Sequence, residues 1–386
     1  MNALSTTATR RVGLALMAGA MIVGVSACGG STASTTPSEA PAKTEAPAQS
    51  EAPATSEAAE STAPSLEPGS VNLGIAYWDT RTYAFQLMKK GAEAIAAVNP
   101  AIEMKATAPD AGDPSKLLPL FQALAQTQTD GIVLQTLAAD PFYRPVLEAT
   151  KAGTPIVAID APPPADAGVD LFITNDNKAL GAMLAKELLK SVPADKTGEI
   201  VIGTNGPSVP PLMARVEGMI EEIKAERPDL TIVGPLSTYG TSGSPQENYT
   251  AWDGILKTHP DAVAYLAPGA QDAVSMGLVQ QRNNIKFVGG GMDLEPGAIE
   301  AVQNGTVTAL VSPEHWLKGY IAAKILADKS IDGTEIPACV WDTGGLVVNK
   351  DNIDAIAARQ ADDASMVAAM APIADEQIAN QAEYCK

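Results

Sequence analysis

Two acidic residues stand where apolar runs stop. Asp160 closes the strand-like part of "AIDAPPPADAG", one alanine ahead of three prolines, and Asp293 ends "FVGGGMD" behind a glycine run that keeps backbone out of the way. A carboxylate at such a point accepts hydrogen bonds from hydroxyls, and the prolines after Asp160 give it a rigid mount. Asp160 could equally cap the turn made by Pro162 to Pro164, and the two acids could form a glycosidase pair. Other chemistries lack their parts. His259 and His315 are the only histidines, and neither HExxH nor a Cys/His cluster occurs, so no metal site is expected. "GTSGS" at 240–244 misses the GxSxG spacing, and "GGG" at 289–291 has no phosphate-loop lysine. The residues read as a binding site, with no catalytic group and no cofactor.

Such positions need elements to hold them. Apolar runs of strand character occur at 71–76, 101–106, 131–135, 155–159 and 171–174, and helix-period segments at 83–98, 115–127 and 142–151 separate the first four. After Asn175 the alternation is written again. Strands are expected near 199–203, 230–234, 262–266, 285–288 and 307–311, with helices near 212–226, 246–257, 271–282 and 295–303. A helix at 315–328, a strand-like "GLVVN" at 345–349 and helical segments beyond 351 follow. The pattern predicts an α/β fold of two doubly wound, Rossmann-like lobes, whose ligand lies where the carboxyl ends of both sheets meet. The residues at those ends are polar and aromatic: Tyr77, Trp78 and Asp79, then Gln135 and Thr136, then Asp160. In the second lobe they are Thr204 and Asn205, Gln271 and Asp272, and Met292 and Asp293.

Arg10 and Arg11 precede an apolar run from Val12 to Ala27, the layout of an export signal over residues 1–27. The run is short for a membrane-spanning helix, which needs roughly 20 residues. It ends at Val25-Ser26-Ala27-Cys28, which resembles the lipobox of bacterial lipoproteins and makes Cys28 the expected lipid anchor. Residues 28–70 are Ala, Ser, Thr, Pro and Glu with almost no large apolar side chain, and read as a disordered tether. Of the formal net charge of −19, −16 remains on Val71–Lys386 once the tether's six glutamates and one lysine and the two signal arginines are set aside. Nucleic acid would be repelled by such a surface. Cys339 and Cys385 are the remaining thiols, and in an exported protein they either close a disulfide or stay unpaired.

"LGIAYWDTRTYAFQLMKKGAEAIAA", "DGIVLQTLAADPFYRPVLEATKAGTPIVAID", "ITNDNKALGAMLAKELL", "HPDAVAYLAPGAQDAVSMGLVQ" and "FVGGGMDLEPGAIEAVQNGTVTALV" together resemble the type I periplasmic binding proteins of the ribose-binding and sugar-binding group, the solute receptors of ABC importers. The likeness runs from 71 to about 330. It implies three crossover strands, near 174–177, 311–314 and 338–346, and hinge closure over a ligand. It implies an N-terminal lobe of 71–175 plus about 313–340 and a C-terminal lobe of 176–312 plus about 345–386. By position it implies ligand contacts from Trp78, Arg81, Thr82, Tyr83 and Phe85, from Asp160, from Gln271 and Asp293, and from Glu314, His315 and Trp316 at the last crossover. Trp78 and Phe85 could be core instead, His315 and Trp316 could pack between lobes, and Asn175-Asp176-Asn177 is expected to cap a helix and shape the hinge.

The chain also departs from the pattern. Where sugar binders follow the fourth-strand aspartate with arginine, it has Ala161; where they place another arginine at a helix start it has Met213, with Arg215 two residues on. Without two guanidinium forks an ordinary pyranose pose is in question, and Arg81, a linear polyol or a less oxygenated solute would answer the loss. The resemblance implies a monomer on the outer face of the bacterial cytoplasmic membrane, delivering a polyhydroxylated solute to a permease. A sensory receptor feeding a signalling protein, or a binder of a non-sugar molecule, would share these features.

Overall fold

The computed structural model describes residues 66–240 and 244–386. The export signal, Cys28, the tether as far as residue 65 and the middle of "GTSGS" lie outside the described residues. In the first lobe the chain runs β1 (Val71–Ala76), α1 (Tyr83–Val98), β2 (Ile102–Thr107), α2 (Pro114–Ala125), β3 (Gly131–Thr136), α3 (Tyr143–Lys151), β4 (Ile156–Asp160) and β5 (Leu171–Thr174). It then enters the second lobe as α4 (Asn177–Leu189), β6 (Glu199–Thr204), α5 (Pro210–Glu226), β7 (Thr231–Ser237) and α6 (Pro245–Thr258). That lobe continues as β8 (Ala264–Leu266), α7 (Ala270–Asn283), β9 (Gly289–Met292), α8 (Pro296–Gln303) and β10 (Ala309–Ser312). The remainder is α9 (His315–Asp332), β11 (Cys339–Asp342), β12 (Leu346–Asn349), α10 (Ile353–Arg359), α11 (Asp363–Ala379) and α12 (Gln381–Tyr384).

The described residues form two six-stranded sheets, ordered β11-β5-β4-β3-β1-β2 and β12-β10-β9-β8-β6-β7. All pairs are parallel except β10 with β12. The two orders superimpose position by position, so β4 and β9 are equivalent strands, and so are the acids that follow their apolar runs. Buried runs such as "GIVLQT" in β3 account for the lack of alternation, since helices cover both faces of a parallel sheet.

The helices after β5 and β10 change lobes. α4 packs on α5 in the second lobe and α9 packs on α1 in the first. Both pairs cross where glycines meet backbone: a Cβ on Gly91 would strike the Trp316 carbonyl and one on Gly319 that of Met88, while Gly181 and Gly218 lie against the carbonyls of Arg215 and Lys178. α9 is buried over most of its length, with Trp316, Tyr320 and Ile321 in the first lobe's core.

Two expectations are corrected here. The strand expected at 285–288 lies at 289–292, as "GGGM". Its glycines fit because a Cβ on Gly290 would meet the Ala309 carbonyl and Leu188, and one on Gly291 would meet Ala273; the apolar "IKFV" before it looks more strand-like than the strand. The tail also differs from the assignment of 345–386 to the C-terminal lobe. β12 and α10 do join that lobe, but α11 packs on α9 and α1, and Met366, Met370 and Ala374 enter the first lobe's core. The chain thus passes between lobes a fourth time, at 360–362, and Cys385 returns to Cys339 in a disulfide.

The passages are tied to one another. From the first passage, the buried Asn175 amide reaches the second through the Pro313 carbonyl at 3.1 Å and the third through Thr343 Oγ1 at 2.9 Å and the Gly344 carbonyl at 2.7 Å. Asp176 caps α4 by accepting from the Ala179 N–H at 2.9 Å.

Candidate functional site

Asp160 and Asp293 both adopt left-handed backbone, with φ of 69° and 67°. Aspartate tolerates this region better than most side chains, and at the end of a strand it turns the carboxylate away from the sheet. Both side chains line a cavity of about 190 Å³ between the lobes.

Each carboxylate already has partners. Lys318 Nζ donates to Asp160 Oδ1 at 2.7 Å and Gln135 Nε2 to Oδ2 at 3.0 Å. Gln135 in turn accepts from the Trp78 N–H at 2.8 Å, linking the ends of β1, β3 and β4. Burial works against ionisation of Asp160, but Lys318, His315 and these hydrogen bonds outweigh it and hold the carboxyl below its usual range. On the other side His315 Nε2 lies 2.8 Å from Asp293 Oδ1 and Arg215 Nη1 3.7 Å from Oδ2. Burial again opposes the charge on Asp293, and Arg215 with His315 and Lys318 reverses the balance, so this carboxyl too sits low. His315 is pushed the other way from a partnered histidine: burial and the Lys318 charge lower its pKa despite Asp293. The lowered pKa favours the neutral imidazole, and Nδ1 is buried with no partner among the described residues.

The result is a contiguous polar patch running from Asp160 through Lys318 and His315 to Asp293 and Arg215. It joins the lobes, because His315 and Lys318 stand on α9 in the first while Asp293 and Arg215 belong to the second. Arg215 is held by two further bonds: Nε donates to Asn177 Oδ1, at the cavity's edge, and Nη1 to the Pro268 carbonyl, each at 2.9 Å. Asn205 adds a buried Oδ1 without a partner among the described residues.

Of the residues proposed from sequence, Thr82, Phe85, Asp160, Arg215, Asp293 and His315 line this cavity. Thr82 stands just before α1, its N–H and hydroxyl both bonded to the buried Asp79 carboxylate at 2.7 and 3.1 Å. The others are placed elsewhere. Arg81 is exposed, Trp78 packs on the first lobe's cores against Gly112, and Tyr83 points toward Gln360 with its hydroxyl 3.4 Å from Oε1. Met213 packs in the second lobe. Gln271 turns to Ser275 at 3.4 Å, and its neighbour Asp272 is a buried acceptor for Thr238, Asn248 and Trp252. Trp316 stacks on Tyr320 in the core, with ring centres 4.9 Å apart. Glu314 is spent on a bidentate pair with Arg359 at 3.0 and 3.1 Å.

Lys318 is the main residue that sequence reasoning missed. It is 1% exposed, deep in a helix that looks like core, and its one signal is its place a turn after His315. It delivers to Asp160 the cation that Ala161 does not. Asn177, Asn205, Leu137, Val209, Pro211 and Leu212 complete most of the lining, and only Asn205 stood among the strand-end residues singled out from the sequence.

Two equivalent sheets with a polar cleft between their carboxyl ends define a two-lobed solute receptor of type I architecture. A family model described as a periplasmic binding protein domain matches residues 72–335. The chain belongs to that family, whose members bind solutes and are not enzymes. It is similar to the xylose/arabinose-binding protein XylF of Sulfolobus acidocaldarius, with 21% identity over 263 residues covering 64% of this chain and 63% of that protein. It thus spans less than two thirds of that relative's length. It is 26% identical over 264 residues to the D-allose-binding periplasmic protein of Escherichia coli, covering 65% of this chain and 81% of that one. Among solved structures, a solute-binding protein from Actinobacillus succinogenes with bound D-allose matches with a TM-score of 0.66 at 22% identity, over 74% of this chain and 99% of that one. A carbohydrate transporter solute-binding protein from Agrobacterium radiobacter, in complex with D-arabinose, matches with a TM-score of 0.64 at 23% identity, over 73% and 95%. At such identities the structural likeness is one of fold.

Proposed function

We propose that this chain is the exported, lipid-anchored receptor of an ABC importer, and that it captures one small sugar or polyol between its lobes by hinge closure. The carrying observation is that equivalent carboxylates of the two lobes, Asp160 and Asp293, enter one cavity and are both held ionised. An ionised carboxylate accepts from hydroxyls, while Lys318, Arg215 and Asn205 supply donors and a further acceptor. The cavity is below the roughly 300–1,000 Å³ of sites for drug-sized ligands, which suits a single small solute. A glycosidase would need one of the two acids to keep its proton through a raised pKa, and both are lowered. The sugar names carried by the relatives agree with this reading. Cys28 would anchor the protein on the outer face of the cytoplasmic membrane, with the tether spacing the monomeric receptor from its permease. Closure follows if the solute binds the closed arrangement better than the open one through contacts from both lobes.

The test is a thermal-shift screen of the full chain against pentoses, hexoses, their alcohols and short polyols, since ligand stabilises the state it binds. Calorimetry on Asp160→Asn and Asp293→Asn should then show affinity reduced about tenfold to a hundredfold, the weight of a charged hydrogen bond. A response confined to amino acids or peptides would sink the proposal. So would wild-type affinity in both variants.

A further inference from the structure

Lys318 is a cation inside a helix of core residues. Trp316, Leu317 and Tyr320 beside it on α9 are all buried, and a lysine at such a place gives up the water that an ammonium holds strongly. Its Nζ has three N–H groups to satisfy. Among the described residues it makes one hydrogen bond, to Asp160 Oδ1 at 2.7 Å. Two N–H groups are therefore left without a protein partner, on a side chain that lines the cavity.

The carboxylate that Lys318 meets is fixed in place. Gln135 donates to Asp160 Oδ2 at 3.0 Å while its own Oε1 accepts from the Trp78 N–H at 2.8 Å, so turning the amide over would lose both bonds. Because α9 packs on β3 and β4, Gln135, Asp160 and Lys318 form an arrangement complete within the first lobe. Its counterpart in the second lobe is looser, with Arg215 3.7 Å from Asp293 and bonded through Nε and Nη1 to Asn177 and the Pro268 carbonyl. An arginine after Asp160, where this chain has Ala161, would present a planar fork. The ammonium is instead a compact charge whose remaining hydrogens each take one oxygen beside the carboxylate.

Resting on the sugar or polyol reading of the cleft, we infer that Lys318 and Asp160 together clasp one hydroxyl of the solute, which makes Lys318 a specificity-determining contact and not only the counter-ion of Asp160. The solute oxygen accepts from Nζ, and the hydroxyl hydrogen is donated to the carboxylate. The last N–H is left for the next oxygen along the solute. Only a group that accepts and donates at once satisfies both partners. An O-methyl group at that point keeps the bond from Nζ and loses the one to Asp160. A C–H there loses both and leaves two buried charged groups facing carbon. Either change should weaken binding about tenfold to a hundredfold, the weight of a hydrogen bond to a charged group.

Isothermal titration of the full chain with D-xylose, D-arabinose, D-galactose, D-allose and D-arabitol selects the tightest as probe, and its monodeoxy and mono-O-methyl derivatives are then titrated at every hydroxyl in turn. One position is expected to lose at least about tenfold on either change. Lys318→Met should bring the deoxy penalty at that position to within about threefold while penalties elsewhere persist, because a contact already missing from the protein cannot be removed again from the ligand. That variant leaves Asp160 buried without its cation. Lys318→Met combined with Asp160→Asn is therefore titrated beside it, with the fold of both checked by circular dichroism, and should show the same loss of discrimination. A wild-type chain that tolerates every single methylation within about threefold overturns the inference and leaves the sugar reading standing. So does a uniform fall in affinity in both variants with the penalty at that position unchanged, since Lys318 then only neutralises Asp160. Complete loss of binding in the double variant also overturns it, because one clasped hydroxyl accounts for no more than about a hundredfold. Failure of every sugar and polyol tested brings down the sugar reading and the inference with it.

Discussion

Asp160 with Lys318 and Asp293 with Arg215 are buried ion pairs, each charge tolerated because its partner offsets its burial, and His315 bonds to Asp293 between them. His315 is the member that titrates nearest neutral pH. Asp293 bonds to it, Lys318 and Asp160 face it from the first lobe, and it is kept neutral by burial and by the lysine charge. An unfolded imidazole takes up its proton near 6.5, the folded one at lower pH. Between those points the unfolded state binds more protons, so stability is full above about pH 6.5 and falls as the pH drops through the folded value, by at most about 1.4 kcal/mol per pH unit. The aspartates have lowered pKa values as well and add a second loss below their ordinary value of 3.8. Thermal melts from pH 7.5 to 3 should therefore show two phases. His315→Gln should abolish the upper one, and an identical slope between pH 7 and 5 in that variant would remove His315 from this role. At this scale the sequence announced the carboxylates, because a strand's end and an apolar run are local features. It concealed Lys318, whose meaning depends on what lies opposite α9.

Elements aim these residues through backbone geometry more than through propensity. The left-handed turns at Asp160 and Asp293 set two equivalent carboxylates at equivalent strand ends. The close crossings of α1 with α9 and of α4 with α5 fix how deeply the first turns of α9 and α4 enter the cleft. A methyl group on Gly319 would overlap the Met88 carbonyl, and backbone cannot yield as a flexible side chain can. Gly319→Ala should cost about 1–3 kcal/mol in guanidinium unfolding, the usual penalty of overpacking. A change within a few tenths of a kcal/mol would mean that the helices separate easily. Elements were mostly legible in the sequence, within a residue or two for α1 and α9 at their starts. β9 was not, because three glycines carry no apolar signal; β9 is a strand because it lies between β8 and β10, where larger residues would not fit.

Across the whole molecule, side-chain contacts tie together the passages between lobes. The fourth passage, at 360–362, brings Arg359 onto Glu314, which sits at the second passage with a φ of 52°. Both side chains are under 10% exposed, so the pair is buried. Removing one partner leaves an uncompensated charge, and Arg359→Met should lose about 3–5 kcal/mol of stability. Arg359→Met combined with Glu314→Gln should recover part of that loss, because the orphaned charge is gone. Chemical denaturation checks both, and no recovery in the double variant would show that Arg359 acts by packing alone. Asn175 and the disulfide between Cys339 and Cys385 secure the same region, so the passages between lobes are cross-tied more than a simple three-strand crossover.

By itself, the sequence determined the alternation of strands and helices, the doubling of that alternation, the strand-end acids and the polar character of the cleft. These follow from composition and period, which act over a few residues and survive without knowledge of distant neighbours. Only the tertiary structure decided that α11 returns to the first lobe, that Glu314 pairs with Arg359 between the lobe passages and not in the cavity, and that Trp316 and Trp78 are packed away from it. It also decided that the missing cation beside Asp160 comes from α9. Each of those outcomes is a pairing between residues far apart in the chain, selected by burial and charge when the lobes assemble, and no local pattern records it.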